Sequence, residues 1–270
     1  MLKSSSKLVT IILIAISSCS PPENSEPTND YEKFVDGLVN LQEQAEFNFD
    51  STIVGGNCCD FDFDTYFKYF DQLSVDSNWV LESHYRISAF RGHPVVASFA
   101  RNDTIAAEIR RELSLSRKGL LKGKEDYDLS LRLFGYMDSV GFLSAIHINS
   151  DSGYFQYLIF ALFGGQYCLF GDANYANWEI ITSRQKLKYF TELENDTYYR
   201  FSKSVKKQAL KIDPEIKMET FPDSITFRIV TLDPWTGFVE NKYSITKSWP
   251  HKLTQYEHKV LVKYDCGVRF

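Results

Sequence analysis

The sequence predicts an α+β fold in which N-terminal helices with a β-hairpin are followed by a mainly antiparallel β-sheet. Between residues 31 and 140, apolar side chains mostly recur at the three-and-four spacing of an amphipathic helix. From Gly141 their spacing shifts towards two, which is the period of a strand. The C-terminal runs are joined by short turns, whereas a parallel crossover needs about a dozen residues. These three observations favour antiparallel pairing.

The first part, residues 31–140, is predicted to be rich in helices. Helical periodicity predicts helices over residues 31–46, 65–73, 104–115 and 127–140. Two β-rich runs, 79–90 and 94–101, flank Arg91-Gly92-His93, and this pattern predicts a hairpin with its turn at Gly92.

The second part, residues 141–270, is predicted to be rich in antiparallel strands and to pack with the first part as one compact unit. The expected strands are 142–149, 154–163, 178–182, 215–221, 224–232, 238–246 and 259–264. One or two helices are expected between Arg184 and Lys211.

Composition and charge narrow the range of partners. The chain is 44% hydrophobic and 24% charged, which is typical of a globular protein. Its formal net charge is −5, and removal of Lys3 and Lys7 would leave 28 basic and 35 acidic residues, a charge of −7. Phosphate binding needs a net or local basic field, so no nucleic-acid partner is expected.

The N-terminal residues have the pattern of an export signal. Lys3 and Lys7 precede the apolar run Leu8–Ile16, which is too short to span a bilayer as a helix. Small residues then lead to a cysteine in Ile16-Ser-Ser-Cys19. This ending resembles the lipobox of bacterial lipoproteins, whose cysteine is acylated and becomes the first residue of the mature chain. The alternative is an ordinary cleaved signal peptide with an unrelated cysteine.

The resemblance implies a processing class and a location. Residues 1–18 would be the signal peptide, Cys19 the lipidated residue, and residues 19–30 a flexible spacer rich in proline, serine and acidic residues. The lipid would hold the protein in the cell envelope, so the membrane is an expected partner. Ser20 is not aspartate, and in a Gram-negative envelope this indicates the outer membrane.

The remaining cysteines are Cys58, Cys59, Cys168 and Cys266. An even number in an exported chain favours two disulfides, with three possible pairings. A Cys58–Cys59 bridge is the least favoured, because adjacent Cα atoms are about 3.8 Å apart and a disulfide usually needs about 4.4 Å or more. We expect the vicinal pair to reach Cys168 and Cys266. Buried free thiols are the alternative.

No metal site and no cofactor are predicted. Asp60, Asp62 and Asp64 alternate as the acids of a calcium loop do, but the sixth position of such a loop is a glycine and here it is Thr65. The alternation indicates instead a half-exposed strand or the start of a helix.

An enzymatic function is not favoured. The five histidines are His84, His93, His147, His251 and His258. They form no metal or nucleophile motif. An envelope hydrolase that uses Cys58 or Cys59 as nucleophile and His84 or His93 as base is an alternative on residue type alone. An inhibitor or immunity-type protein is a further alternative.

Aromatic residues in polar loops suggest a binding surface. Trp235 lies in Asp-Pro-Trp-Thr-Gly between two predicted strands, and Tyr175 and Trp178 lie in another polar loop. Rings supply contact area at low entropy cost, and neighbouring polar groups supply directional hydrogen bonds. We therefore expect a non-enzymatic binding or envelope-structural module whose ligand is a carbohydrate or a protein. The alternative is that each ring folds back over the sheet edge.

A basic stripe is also predicted. Arg200, Lys203, Lys207 and Lys211 fall on one side of a helix expected to begin near Thr197. Such a stripe can lie against anionic lipid headgroups, or it can be the solvated side of a helix that packs on a sheet.

Overall fold

A computed structural model describes residues 30–47, 63–87, 92–117, 120–121, 123–163, 179–193 and 198–267. These residues form helices and strands, with the longest strands in a C-terminal antiparallel sheet, so the predicted α+β class is confirmed. The helices are α1 (Asp30–Phe47), α2 (Phe63–Lys68), α3 (Thr104–Arg117), α4 (Lys124–Val140), α5 (Gly153–Phe163), α6 (Arg184–Glu192) and α7 (Lys203–Ala209). The strands are β1 (Leu73–Val75), β2 (Trp79–Ile87), β3 (Gly92–Ala100), β4 (Ile146–Ile148), β5 (Glu179–Ile181), β6 (Lys217–Thr220), β7 (Ser224–Asp233), β8 (Gly237–Thr246) and β9 (Leu253–Lys263).

Strands β5 to β9 form the C-terminal sheet, in the order β5-β7-β8-β9. Strand β8 pairs with one edge of β7 along its whole length, so β5 and β6 share the other edge. A tight turn joins β7 to β8, and its Gly237 has a φ of 99°. A Cβ at this position would lie 2.2 Å from the carbonyl oxygen of Val262 on β9. The turn therefore requires glycine, both for its backbone conformation and for the close approach of β9.

Helices cover both faces of this sheet. Along β7, Ile225, Phe227 and Ile229 lie on one face of the sheet. Val230 and Leu232 lie on the opposite face. The first three are buried in one cluster with residues of α1, α2 and α5. The other two are buried in a second cluster with residues of α6 and α7. Burial of both faces explains why apolar residues occur on both faces of β7.

A smaller sheet lies in the N-terminal part. Strands β2 and β3 pair antiparallel along their whole length, which confirms the predicted hairpin. The predicted turn at Gly92 is wrong, because Gly92 is the first residue of β3 and pairs with Ile87. Residues 88–91 lie outside the described ranges. Helices α3 and α4 pack against β3, where Phe99 stacks on Tyr136 with ring centroids 5.5 Å apart. This hairpin and helix pair enclose a separate apolar cluster.

Residues 154–163 are predicted as a strand, but they form most of helix α5. Every residue from Tyr154 to Phe160 is buried. A segment that is apolar on all sides shows no helical period, so its sequence cannot be told from that of a buried strand. Residues 150–152, between the predicted strands 142–149 and 154–163, lead into the first turn of α5.

Other boundaries also differ from the prediction. Residues 142–145 form a 3-10 helix, and only the three residues of β4 that follow are extended. Strand β4 pairs with β1. The first residue of β1, Leu73, is the predicted last residue of a helix, but in the structure that helix, α2, ends at Lys68. The last strand begins at Leu253 rather than at residue 259.

The predicted basic stripe does not lie on one helix. Helix α7 begins at Lys203, because the side chain of Ser202 caps it by accepting a hydrogen bond from the backbone N–H of Val205 at 3.3 Å. Arg200 and Lys211 therefore lie outside the helix, and only Lys203 and Lys207 of the four remain on it.

Candidate functional site

A polar groove lies on one face of the C-terminal sheet. Helices α1, α2 and α5 cover one end of this face, and the groove lies at the opposite end. Its volume is about 220 Å³, and its lining residues are Thr231, Asp233, Thr236, Val239, Asn241, Tyr243, Gln255 and His258. They come from β7, β8, β9 and the turn between β7 and β8. On β7, Thr231 and Asp233 continue the row of Ile225, Phe227 and Ile229. The row changes from apolar to polar where the groove begins.

Asn241 organises the groove. It is 3% exposed, and its amide nitrogen donates a hydrogen bond of 3.0 Å to the hydroxyl of Thr231. Its amide oxygen accepts hydrogen bonds from Nε2 of Gln255 at 2.8 Å and from Nδ1 of His258 at 2.9 Å. We call these four side chains the Asn241 network. The buried amide is thus satisfied, and it orients the two exposed side chains of β9.

A β-bulge brings Gln255 and His258 to the same amide. His258 pairs with Asn241 and Gln255 pairs with Tyr243, with a register shift between Lys242 and Tyr243. In a regular strand, residues three apart point to opposite faces. The extra residue of the bulge, Tyr256, returns both side chains to the groove face. The network therefore depends on an irregularity in strand pairing.

The turn between β7 and β8 closes one end of the groove. One carboxylate oxygen of Asp233 accepts hydrogen bonds from the backbone N–H groups of Trp235, at 2.8 Å, and Thr236, at 2.7 Å. These bonds form a side-chain-stabilised turn of the kind that aspartate favours. The turn at this end of the groove is therefore fixed by the hydrogen bonds to Asp233 and by the backbone conformation of Gly237.

The groove offers several kinds of hydrogen-bonding group. Burial raises the pKa of Tyr243 to about 12, so its phenol is protonated at neutral pH and can donate. The amide of Gln255, the imidazole of His258 and the carboxylate of Asp233 add both donors and acceptors. Such a set can bind a ligand rich in hydroxyl or amide groups. Among the described residues, no three His, Cys, Asp or Glu side chains are placed to hold a metal ion.

The predicted aromatic surface is only partly described. Trp235 is half-buried, and its ring centroid lies 6.2 Å from that of Tyr198, which packs against the cluster beneath α6 and α7. Trp235 is adjacent in the chain to Thr236 of the groove. Tyr175 and Trp178 lie outside the described residues. Their convergence with Trp235 stays a prediction.

The lipid and disulfide predictions fall mostly outside the described ranges. Cys19, Cys58, Cys59 and Cys168 are not among the described residues. Cys266 is half-buried and forms no disulfide with a described residue. Its backbone N–H donates a hydrogen bond of 2.8 Å to the carbonyl of Pro234, beside the groove turn. The disulfide pairing and the lipidation stay predictions.

A second polar cluster joins three distant parts of the chain. Nε2 of His147 on β4 lies 2.9 Å from the carboxylate of Asp76, and its ring stacks on Trp249 with centroids 4.7 Å apart. His251 accepts a hydrogen bond at Nε2 from the backbone N–H of Ile148 at 3.3 Å and donates from Nδ1 to the carbonyl of Thr246 at 2.9 Å. The two bonds require the neutral imidazole, because one ring nitrogen must accept.

The pKa values of this cluster follow from its contacts. The hydrogen bond from His147, with help from the backbone N–H of Asn78, lowers the pKa of Asp76. Burial, opposed by the hydrogen bond to Thr246 and assisted by the nearby His147, lowers the pKa of His251. An imidazole held by a carboxylate can take up a proton at its other nitrogen. No described hydroxyl or thiol is hydrogen-bonded to His147, so the pair has no visible nucleophile to activate.

Sequence reasoning missed both clusters. Asn241 and Thr231 carry one signal, since each is a polar residue on a row of a long strand that also holds apolar residues. The contribution of Gln255 and His258 depends on the bulge, which has no signal in the sequence. His84 and His93, the proposed bases of a hydrolase, lie on β2 and β3, but their side chains are outside the described part. That alternative stays untested.

Comparison with known protein families, with curated proteins and with solved structures finds no match to this chain. Within the described ranges, no helix has both the length and the apolar character needed to cross a membrane. The function is therefore argued from the residues of the site.

Proposed function

We propose that this chain is a lipid-anchored module of the cell envelope that binds a hydroxyl-rich ligand, such as a carbohydrate, without catalysis. The observation that carries the proposal is the Asn241 network. A buried amide at the base of the groove holds an exposed glutamine and an exposed imidazole in defined positions. Preorganised polar groups reduce the entropy lost when a ligand binds.

The chemistry of the groove supports a polar ligand. Its side chains combine amide, imidazole, carboxylate and hydroxyl groups within about 220 Å³. This volume is below the range of about 300–1,000 Å³ that is typical of sites for drug-sized molecules. One sugar ring or one polar side chain is a more suitable occupant. Sugar hydroxyls both donate and accept, which matches the mixture of groups along the groove.

The location rests on the N-terminal resemblance to lipoproteins. If Cys19 carries the lipid, Cys19→Ala leaves the protein in the soluble fraction of an envelope preparation, while the unchanged chain sediments with the membranes. Membrane association that survives this substitution would remove the anchor from the proposal. An unrelated surface substitution, Lys259→Ala, serves as the control for export and folding.

The binding proposal is tested on the exposed members of the network. The probes are N-acetylglucosamine, glucose, mannose and their short oligomers, and the measurement is isothermal titration calorimetry. We expect His258→Ala and Gln255→Ala each to weaken binding about tenfold or more, as the loss of an oriented hydrogen bond to a ligand does. Lys259→Ala is the matched control, because Lys259 is exposed on the same strand and pairs with Glu240 on the opposite face.

Two results would contradict the binding proposal. Equal affinity of the His258 and Lys259 variants for a probe that binds would place the site elsewhere. Absence of binding to every probe in the panel would exclude these sugars as the ligand class and favour the structural role.

A further inference from the structure

Two neighbouring turns at one end of the sheet expose aromatic side chains. Phe221, between β6 and β7, is 45% exposed, and Trp249, between β8 and β9, is 40% exposed. The turns lie side by side, because the backbone N–H of Lys247 donates a hydrogen bond of 2.8 Å to the carbonyl of Asp223. One side of the Trp249 ring stacks on His147 with centroids 4.7 Å apart, and the rest of the ring is open to solvent. We call Phe221 and Trp249 the aromatic tips.

The chain enters the described structure close to these tips. Helix α1 begins at Asp30, and the hydroxyl of Tyr31 lies 4.0 Å from the sulfur of Met218 on β6. Met218 is itself 39% exposed and precedes Phe221 by three residues, which corresponds to about 10 Å of extended chain. The segment that leads back to Cys19 therefore starts on the same side of the domain as the tips.

The length of that segment limits the distance to the bilayer. Cys19 and Asp30 are eleven residues apart, so the segment spans at most about 40 Å even when fully extended. A lipid on Cys19 thus holds the domain near the membrane, with its point of attachment beside β6. This step rests on the lipid anchor of the proposed function.

We propose that the aromatic tips and Met218 contact the surface of the lipid bilayer and orient the anchored domain on it. Tryptophan favours the membrane–water interface, because its ring is apolar and its N–H can reach water or headgroups. A lipid on Cys19 attaches the domain at one point only, so a second contact is needed to fix its orientation. The ten-residue strand β7 runs from this end to the groove, and Thr231, its first residue in the groove, lies about 23 Å along the strand from Ser224.

Charge distinguishes this surface from the alternative one. Lys217 and Lys247 lie near the tips together with Glu219 and Asp223, so both signs of charge are present. Insertion of the tips therefore does not require anionic lipid. Helix α7 carries Lys203, Lys206 and Lys207, and docking by that helix would require anionic lipid.

The test uses the full lipidated chain reconstituted into phosphatidylcholine liposomes whose acyl chains carry bromine, which quenches nearby tryptophan fluorescence. Flotation with the liposomes first reports the anchor. We expect the brominated lipid to quench the unchanged chain, Trp249→Phe to lose most of that quenching, and Trp235→Phe to keep it. Trp235 is the matched control because it lies in the turn at the opposite end of β7.

A second variant tests the surface without changing tryptophan. Phe221→Ser should reduce quenching of Trp249 while leaving the melting temperature within about 2 °C, because an exposed substitution changes stability little. The triple variant Lys203→Gln, Lys206→Gln, Lys207→Gln should leave quenching unchanged in liposomes with and without phosphatidylglycerol.

Each contrary result is decisive. Normal flotation with equal quenching in the Trp249 and Trp235 variants would overturn the surface and leave the anchor intact. Quenching that needs phosphatidylglycerol and the α7 lysines would place the membrane against α7 and overturn the tips. Failure of the unchanged chain to float would refute the anchor, and with it the argument that places the bilayer at this end.

Discussion

One face of the C-terminal sheet has two halves with opposite chemistry. In the first half, Ile225, Phe227 and Ile229 are buried with aromatic residues of α2 and α5. In the second half, the same row continues into Thr231 and then Asp233, and β8 contributes Asn241. The pairing of β7 with β8 is continuous across both halves, whereas β9 has a bulge at Tyr256. On β7 and β8 the change therefore lies in the side chains and in what packs on them.

This comparison separates residues that stabilise the fold from residues that can recognise a ligand. Apolar side chains in the first half gain stability by leaving water, and they have no directional groups to offer. Polar side chains in the second half need partners when they are buried, and they find them in one another. Groups at the edge of such a network keep unused donors and acceptors that a ligand can bind. Four predictions test the contrast.

The largest effect is expected in the apolar half. Phe160 of α5 is fully buried, and its ring contacts the rings of Phe67, Phe70 and Phe142 at centroid distances of 5.0–5.5 Å. Phe160→Ala removes these contacts and leaves a cavity, so we expect a loss of about 3–5 kcal/mol in the free energy of unfolding. Denaturant unfolding measures it. Leu131→Ala, at a side chain that is 50% exposed, should lose less than about 1 kcal/mol.

The next effect is expected at the centre of the polar half. Asn241→Ala deprives Thr231 of its donor inside the sheet and removes the acceptor of Gln255 and His258. We expect a loss of about 1–3 kcal/mol, because the hydroxyl of Thr231 stays buried while the other two side chains can turn to water. A loss below about 0.5 kcal/mol in the same unfolding assay would show that the network does not help to stabilise the fold.

The third prediction concerns pH where the apolar half ends. The hydroxyl of Tyr157 on α5 donates a hydrogen bond of 3.0 Å to the backbone carbonyl of His251. Burial lowers the pKa of the His251 imidazole. The unfolded chain then takes up a proton near pH 6.5 before the folded chain does, so the free energy of unfolding falls as the pH decreases through 6.5. The contribution of Asp76, whose pKa is lowered, persists until the pH falls below about 3.8.

The measurement for this prediction is the free energy of unfolding at pH 7.5 and at pH 5.5. His251→Gln removes the titrating group, so its stability should depend less on pH over this interval than that of the unchanged chain. Identical pH dependence in both proteins would assign the effect to other groups.

The smallest effect is expected at the edge of the polar half. Gln255 is exposed, and its side chain can exchange its bond to Asn241 for a bond to water. Gln255→Ala should therefore change the free energy of unfolding by no more than about 0.5 kcal/mol. Comparison with Asn241→Ala in the same assay separates a buried network member from an exposed one. A loss as large as that of Asn241→Ala would assign Gln255 to the core.

Local sequence patterns predict those elements whose two sides differ. Helices α1, α3 and α4 each have one buried side and one exposed side among their described side chains, so their period of 3.6 is visible in the sequence. Helix α5 has no exposed side over Tyr154–Phe160, and its period is lost. Thr231 and Asn241 are recognisable in the sequence as polar positions on β7 and β8. Their partners on β9, Gln255 and His258, are not, because the bulge that brings them together has no sequence signal.

The sequence by itself determined the α+β class and the antiparallel connections of the last strands, because turn length and side-chain period are local properties. Tertiary structure alone decided that 154–163 is a helix, since burial on every side depends on what surrounds the segment. It also decided that Asn241, Gln255 and His258 meet, because a bulge at Tyr256 resets the face of β9. The pairing of Asp76 with His147 spans 71 residues, and only the packing of distant strands brings the two together.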